Sequence, residues 1–347
     1  MKILGIETSC DDTSCAIVEN GHTVLANTIA SQVDIHTLTG GVVPEVAARE
    51  HILNITPTLE TCLRDAECNW DDIDAIAVTK GPGLISSLII GTETASVISY
   101  MKDKILIPTQ HIIGHIYSNW LESETEPQFP ILILTVSGGH NDLILMTGHN
   151  EFKILGETRD DAAGEAYDKV ARMLGLGYPG GPLISKLAEN GQEDAYKLPI
   201  VMLEKDSLDF SLSGLKTATL TVIKKYASAN DIAEISQLNN NFKRDLAASF
   251  QYTINTILTK KIERALTHYP DVKEIHLAGG VSANTNLREK ITKMLDKRYV
   301  FRYPQKMAYC TDNAAMIAAA GFYLYNKSPK TFKSKTNITP SISFGIQ

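Results

Sequence analysis

The feature that most restricts the fold is a pattern that occurs twice. Residues 2–7 are apolar enough for a buried strand, 8–13 make a polar turn, and 14–19 make a second strand. Asn20-Gly21 is a hairpin signal, and 23–30 form a third strand. About 130 residues later the order returns: strand 130–136, turn Ser137-Gly138-Gly139-His140, strand 142–146, turn 147–150 and strand 151–156. That period is too long for a solenoid and marks a duplicated unit. A chain of 347 residues has room for two such units.

Strand and helix patterns alternate after each meander. In the first half a helix is expected over 44–66, with Pro44 in its first turn and Pro57 breaking or kinking it. Strand 74–79, helix 84–101, strand 105–109 and helix 112–121 follow, and the acidic, Pro-flanked stretch 122–130 reads as a linker. The second half predicts helices over 163–174, 182–190, 215–226 and 232–268. It closes with strand 274–278, helix 284–295, strand 300–303 and an Ala-rich helix 311–325. The fold class is α/β: two like lobes, 1–123 and 130–347, with mixed sheets flanked by helices and a central cleft, the last helix packing back toward the first lobe. The turns after the two first strands, around Asp11 and around 137–140, should face that cleft.

Composition narrows the setting. The net charge of −7 argues against a general nucleic-acid binder. The charge is uneven, however: residues 1–200 carry 12 Lys and Arg against 28 Asp and Glu, and residues 201–347 carry 21 against 12. A basic second half hints at an anionic partner, and an acidic first half at a protein partner. Five cysteines without a CxxC pair suit a reducing compartment. No stretch has the roughly 20 apolar residues that span a bilayer, and the first residues do not read as a signal or transit peptide. A cytoplasmic protein with no membrane association is expected.

Several motifs carry chemistry. His111-Ile112-Ile113-Gly114-His115 places two imidazoles on one helix face, where they can share an ion or simply be surface residues. It is not HExxH, since Ile112 follows His111. The glycines of Ser137-Gly138-Gly139-His140 expose successive backbone amides to an anion or carbonyl, or form an ordinary hairpin turn. Tyr178-Pro179-Gly180-Gly181-Pro182 reads as a rigid loop open to close approach by a ligand, or a plain helix connection. In Ala278-Gly279-Gly280-Val281-Ser282-Ala283-Asn284 a strand runs through a Gly-Gly turn into a helix start, where Asn284 either caps or binds a sugar or base. Asp312, in Cys310-Thr311-Asp312-Asn313, is a helix cap or a carboxylate ligand. Asp160, Asp161 and Asp168 cluster at another helix start, serving ribose hydroxyls or opposing the helix dipole.

The blocks GIETSCDDT (5–13), GGVVPEVAAREH (40–51), HIIGHIYSN (111–119), VSGGHNDL (136–143), DDAAGEAYDKVARMLGLGYPGGP (160–182), FSLSGLKTA (210–218), AGGVSAN (278–284) and CTDNAAMIA (310–318) come in order along nearly the whole chain. Together they resemble the TsaD family, the tRNA N6-adenosine threonylcarbamoyltransferases formerly called O-sialoglycoprotein endopeptidases. The resemblance implies the duplicated ASKHA fold shared by actin, hexokinase and heat-shock chaperone ATPases. It implies transfer of threonylcarbamoyl from threonylcarbamoyl-AMP to N6 of the adenosine beside the anticodon, on its 3′ side, in tRNAs reading ANN codons. It places one divalent metal ion, Fe2+ or Zn2+, on His111, His115 and Asp312. It places the substrate on Thr135, Val136, Ser137, Gly138 and Gly139, with Asp168, Gly181 and Asn284 completing the nucleotide site. Asp11 matches an acidic position proposed for catalysis, and the next family position, often Glu, is Asp12. The implied partners are tRNA, a TsaB-like paralogue on the first lobe and a TsaE-like ATPase. Other readings of the same residues are a metalloprotease built on the His pair, an ASKHA-type ATPase or sugar kinase with Gly279-Gly280 on phosphate, and a non-catalytic nucleotide-binding scaffold.

Overall fold

A computed structural model describes residues 1–204, 206–332 and 338–341. The first sheet holds β1 (Lys2–Glu7), β2 (Asp12–Glu19), β3 (Thr23–Ser31), β4 (Ala75–Gly81) and β5 (Ile105–Gln110), in the order β3-β2-β1-β4-β5. The second holds β6 (Ile131–Val136), β7 (Asn141–Gly148), β8 (Glu151–Gly156), β9 (Glu274–Ala278) and β10 (Val300–Arg302), in the order β10-β9-β6-β7-β8. From the meander edge inward the two orders coincide. In each, the meander strands pair antiparallel and the last two strands add in parallel.

The helices are α1 (Val33–Thr37), α2 (Pro44–Asp65), α3 (Ile85–Lys102), α4 (His111–Tyr117), α5 (Ala163–Met173), α6 (Gly180–Ala188), α7 (Ser213–Ala229), α8 (Asn240–His268), α9 (Thr285–Met294) and α10 (Ala314–Lys327). Side chains on one strand alternate between faces, so each sheet serves two cores. Leu4 and Ile6 of β1 join Ile55, Cys62 and Ala95 under α2 and α3. Leu132 and Leu134 of β6 join Val170, Phe250 and Ile257 under α5 and α8. The opposite faces share a third core. Ile3, Ala77 and Ile107 of the first sheet and Ile131, Ile133 and Ile144 of the second pack around Ile116, Tyr117 and Trp120 and the alanines of α10. Thus α4 and α10 lie wedged between the sheets. The approach of α10 to β1 is close: a Cβ on Gly5 would meet the Ala314 carbonyl oxygen, so only glycine fits there.

The structure departs from the expected boundaries for identifiable reasons. Pro57 lies inside α2 without ending it, and Leu53, whose carbonyl loses its helical partner there, is exposed to water. The stretch 232–268 is not one helix. It begins with a short 3-10 turn, Ile235–Gln237, and α8 starts only after Asn239, whose side chain accepts from the Asn241 amide. Residues 180 and 181 belong to the first turn of α6 rather than to a loop. The last helix starts at Ala314, three residues later than expected.

Candidate active site

His111 opens α4 directly after β5, so His111 and His115 lie one turn apart with ring centroids separated by 4.7 Å. Asp312 precedes α10. Capping of that helix falls to Asn313, whose side chain accepts from the Met316 amide, and this leaves the Asp312 carboxylate free for the histidines. Asp312 Oδ1 lies 3.3 Å from His111 Nε2 and 3.2 Å from His115 Nε2. Two imidazole nitrogens and a carboxylate oxygen within 4.8 Å of one another form a donor set that fits a divalent transition metal. Burial works to raise the Asp312 pKa, but the attraction of both histidines outweighs it and holds the carboxyl well below the usual range.

The far side of His111 is also tied down. Its Nδ1 lies 3.0 Å from Glu7 Oε2 and 3.1 Å from Ser9 Oγ. Glu7 is fully buried and also accepts from the Thr79 hydroxyl and the Ser9 amide. In sequence Glu7 reads only as the residue that ends an apolar run. A carboxylate at a buried strand position is the signal that could have found it.

The turn between β1 and β2 carries the acidic groups. It is fastened by the Leu84 amide on the Ser9 carbonyl and by His51, whose ring bonds the Cys10 carbonyl and the Thr13 hydroxyl. Burial raises the pKa of Asp11; the Cys10 contact opposes this and Asp312 adds to it. Asp12 is pushed up to about 7, by burial first, against a Ser31 hydrogen bond and with Asp312 and Asp11 adding repulsion. Its Oδ1 is buried without a hydrogen-bond partner.

The opposite wall is the turn from β6 to β7. The Ser137 and Gly138 carbonyls accept from the Gly164 and Glu165 amides at the start of α5. Among the described residues the Gly138 and Gly139 amides donate to no protein atom. A Cβ on Gly138, Gly139, Gly181 or Gly280 would meet nothing within 4 Å, so protein packing does not explain these glycines. They border open space that a ligand's atoms can enter. Burial, and then the nearby His111 and His115, hold the His140 imidazole below its usual pKa, which places the end of the turn close to both histidines. Thr135 and Val136 are buried in β6, and the Thr135 hydroxyl bonds Asp142, so a ligand meets only backbone at the strand end.

The remaining expected residues line up with protein partners. Asp168 accepts from the Gly180 amide at 2.7 Å and anchors the start of α6 beside Gly181. Asn284 caps α9 through the Leu287 amide, and its own amide donates to Gln251 and Ser185. Gln251 and Ser185 escape a sequence reading because they lie mid-helix with no local motif. Asp160 accepts from the Ser211 and Ser213 hydroxyls and from two amides at the start of α7, which fills its acceptor sites, and Asp161 pairs with Lys169 and Lys216.

Two sheets of matching strand order with a helical wedge between them define the actin-type ASKHA class. Solved structures agree on the fold. T. kodakarensis HypF matches 94% of this chain and 48% of its own at TM-score 0.61 and 14% identity. Component A of the Acidaminococcus fermentans (R)-2-hydroxyglutaryl-CoA dehydratase matches 95% and 100% at TM-score 0.51 and 14% identity. Residues 23–319 match the family model TsaD, tRNA N6-adenosine threonylcarbamoyltransferase. Relatives with that name include one from Bacillus anthracis, 49% identical over 94% of this chain and 92% of its own. Another, from Staphylococcus carnosus, is 46% identical over 93% and 91%. The chain belongs to the family of tRNA N6-adenosine threonylcarbamoyltransferases, and the protease and kinase alternatives are not favoured.

Proposed function

We propose that this protein moves the threonylcarbamoyl group from threonylcarbamoyl-AMP to N6 of the adenosine beside the anticodon in tRNAs reading ANN codons. The observations that carry this reading are the His111, His115 and Asp312 cluster, the closeness of His140 to both histidines at the end of the β6–β7 turn, and two amides of that turn, Gly138 and Gly139, that donate to no protein atom among the described residues. Acyl transfer needs donors aimed at the oxygen where charge develops, and two successive free amides supply them. A metal held by the three side chains, Fe2+ or Zn2+, adds Lewis-acid polarisation when bound. The exocyclic amine of adenine is a weak nucleophile, so much of the acceleration comes from orientation. Asp11, with its raised pKa, accepts the amine proton as the new bond forms.

The nucleotide half of the donor lies along Gly181, Gly280 and the α6 start, where Asp168 fixes the backbone. Of the basic residues in 288–306, several are already engaged: Arg288 with the Ser282 carbonyl and the Tyr303 ring, Lys290 with Thr256, Arg302 with Glu274, and Lys306 with Glu122. Lys293 reaches only an exposed Glu289, and Lys297 is exposed. The tRNA-facing charge therefore centres on Lys293, Lys297 and Arg298. A TsaB-like paralogue on the acidic first lobe and a TsaE-like ATPase complete the working assembly, in the cytoplasm. Among the described residues no helix is long and apolar enough to cross a membrane.

The test is mass analysis of tRNA nucleosides after incubation with the adenylate, with and without these partners. Threonylcarbamoyladenosine is the expected product. Its absence under every combination overturns the proposal.

A further inference from the structure

We infer that Glu7 is a positioning residue that fixes His111 as a metal ligand, an inference that rests on reading His111, His115 and Asp312 as a metal site. Glu7 ends β1 and is fully buried. Three donors converge on its two oxygens: the Ser9 amide on Oε1, and the Thr79 hydroxyl and His111 Nδ1 on Oε2. A neutral imidazole carries one proton. With that proton held on Nδ1 by Glu7, the lone pair falls on Nε2, the atom that faces Asp312 and His115. His115 differs: its Nδ1 is buried without a hydrogen-bond partner, so no such contact sets its tautomer. His111 is thus the pre-oriented ligand of the pair. The carboxylate matters because glutamine offers one oxygen to three donors and turns its own N–H groups toward one of them.

The full-length protein, stripped and then titrated with Zn2+ against a chromophoric chelator, tests this. Glu7→Gln should bind Zn2+ about 10- to 100-fold more weakly than the wild type. Thr79→Val, which removes one donor to Glu7 and leaves His111 intact, should show a smaller loss. Equal Zn2+ affinity in Glu7→Gln and wild type overturns the inference. A second measurement needs no variant: imidazole nitrogen shifts of the zinc-loaded wild type should show His111 protonated at Nδ1 and ligated at Nε2. The reverse assignment overturns the inference even if Glu7→Gln fails to fold. A wild type that takes up no Zn2+ overturns the metal reading itself, whereas equal affinities overturn only the role of Glu7.

Discussion

Arg302 Nε donates to Glu274 Oε2 over 2.6 Å, and the same guanidinium reaches Ser123 Oγ and the Thr125 carbonyl. Glu274 also accepts from the Gln128 amide and from His276. One buried ion pair thereby ties the edge of the second sheet to the segment that joins the two halves. Burial opposes ionisation of Glu274, but His276, Arg302 and the Gln128 amide outweigh it and hold its carboxyl down to about 2. A depressed carboxylate stabilises the fold fully above its unfolded value, near 4.5, and loses that contribution as pH falls toward 2. Glu274→Ala should cost about 3 kcal/mol at pH 7. The gap to wild type in denaturant melts should close between pH 4.5 and 2; a gap independent of pH argues against this assignment.

Asp312 is the only carboxylate that both cleft histidines face at ligand distance among the described residues. Asp312→Ala should abolish retention of metal through gel filtration and lower transfer by about 100-fold or more. Metal content by plasma mass spectrometry and product formation report these separately. Full metal content in the variant would remove Asp312 from the ligand set.

The glycines around the opening separate fold from function. A Cβ on Gly138 meets no protein atom, whereas one on Gly164 would lie 2.7 Å from the Gly138 Cα and the Ser137 carbonyl oxygen. Gly138→Ala should leave the free energy of unfolding within about 0.5 kcal/mol of wild type and raise KM for the adenylate. Gly164→Ala should lower stability by about 1–3 kcal/mol. Unaltered KM in Gly138→Ala would place the donor elsewhere.

Asp12 works against stability. Its folded pKa of about 7 lies above the ordinary 3.8, so the folded state keeps a proton that the unfolded chain releases. Stability therefore falls as pH rises from about 4 to 7 and stays low above that. With metal removed by chelator, Asp12→Asn should be about 4 kcal/mol more stable than wild type at pH 8. The difference should vanish near pH 4. No gain at pH 8 would mean that the group ionises without penalty.

Lys297→Glu should weaken tRNA binding and reduce the slope of log affinity against log salt by about 1 to 2. Lys306→Glu, whose charge is already paired with Glu122, should destabilise that pair and change the slope less. Filter binding across a salt series distinguishes them. Equal slopes in wild type and Lys297→Glu would move the tRNA surface elsewhere.

The repeat is legible because its signals are local: alternating strands, Asn20-Gly21 and Ser137-Gly138-Gly139 turns, and histidines one helical turn apart. Other features depend on distant partners. Glu7 finds Thr79 and His111 72 and 104 residues away, and no spacing rule joins them. Asp160 sits near the start of α5 in sequence, yet it serves the start of α7, 51 to 53 residues later. The start of α8 is hidden because apolar residues continue through the preceding turn, and only the Asn239 cap marks the break. The basic excess of the second half does not show which charges are free: Arg288, Lys290 and Arg302 are engaged by protein partners that lie far away in sequence or across a turn.

The wedge of α4 and α10 has a further consequence. Each sheet completes its inner core with the same two helices, and the cluster takes His111 and His115 from α4 and Asp312 from just before α10. The two halves are therefore not independent folding units. Divided near residue 123, neither piece would inherit a finished interior, and the first would lose Asp312. The two halves depend on each other through one shared interior.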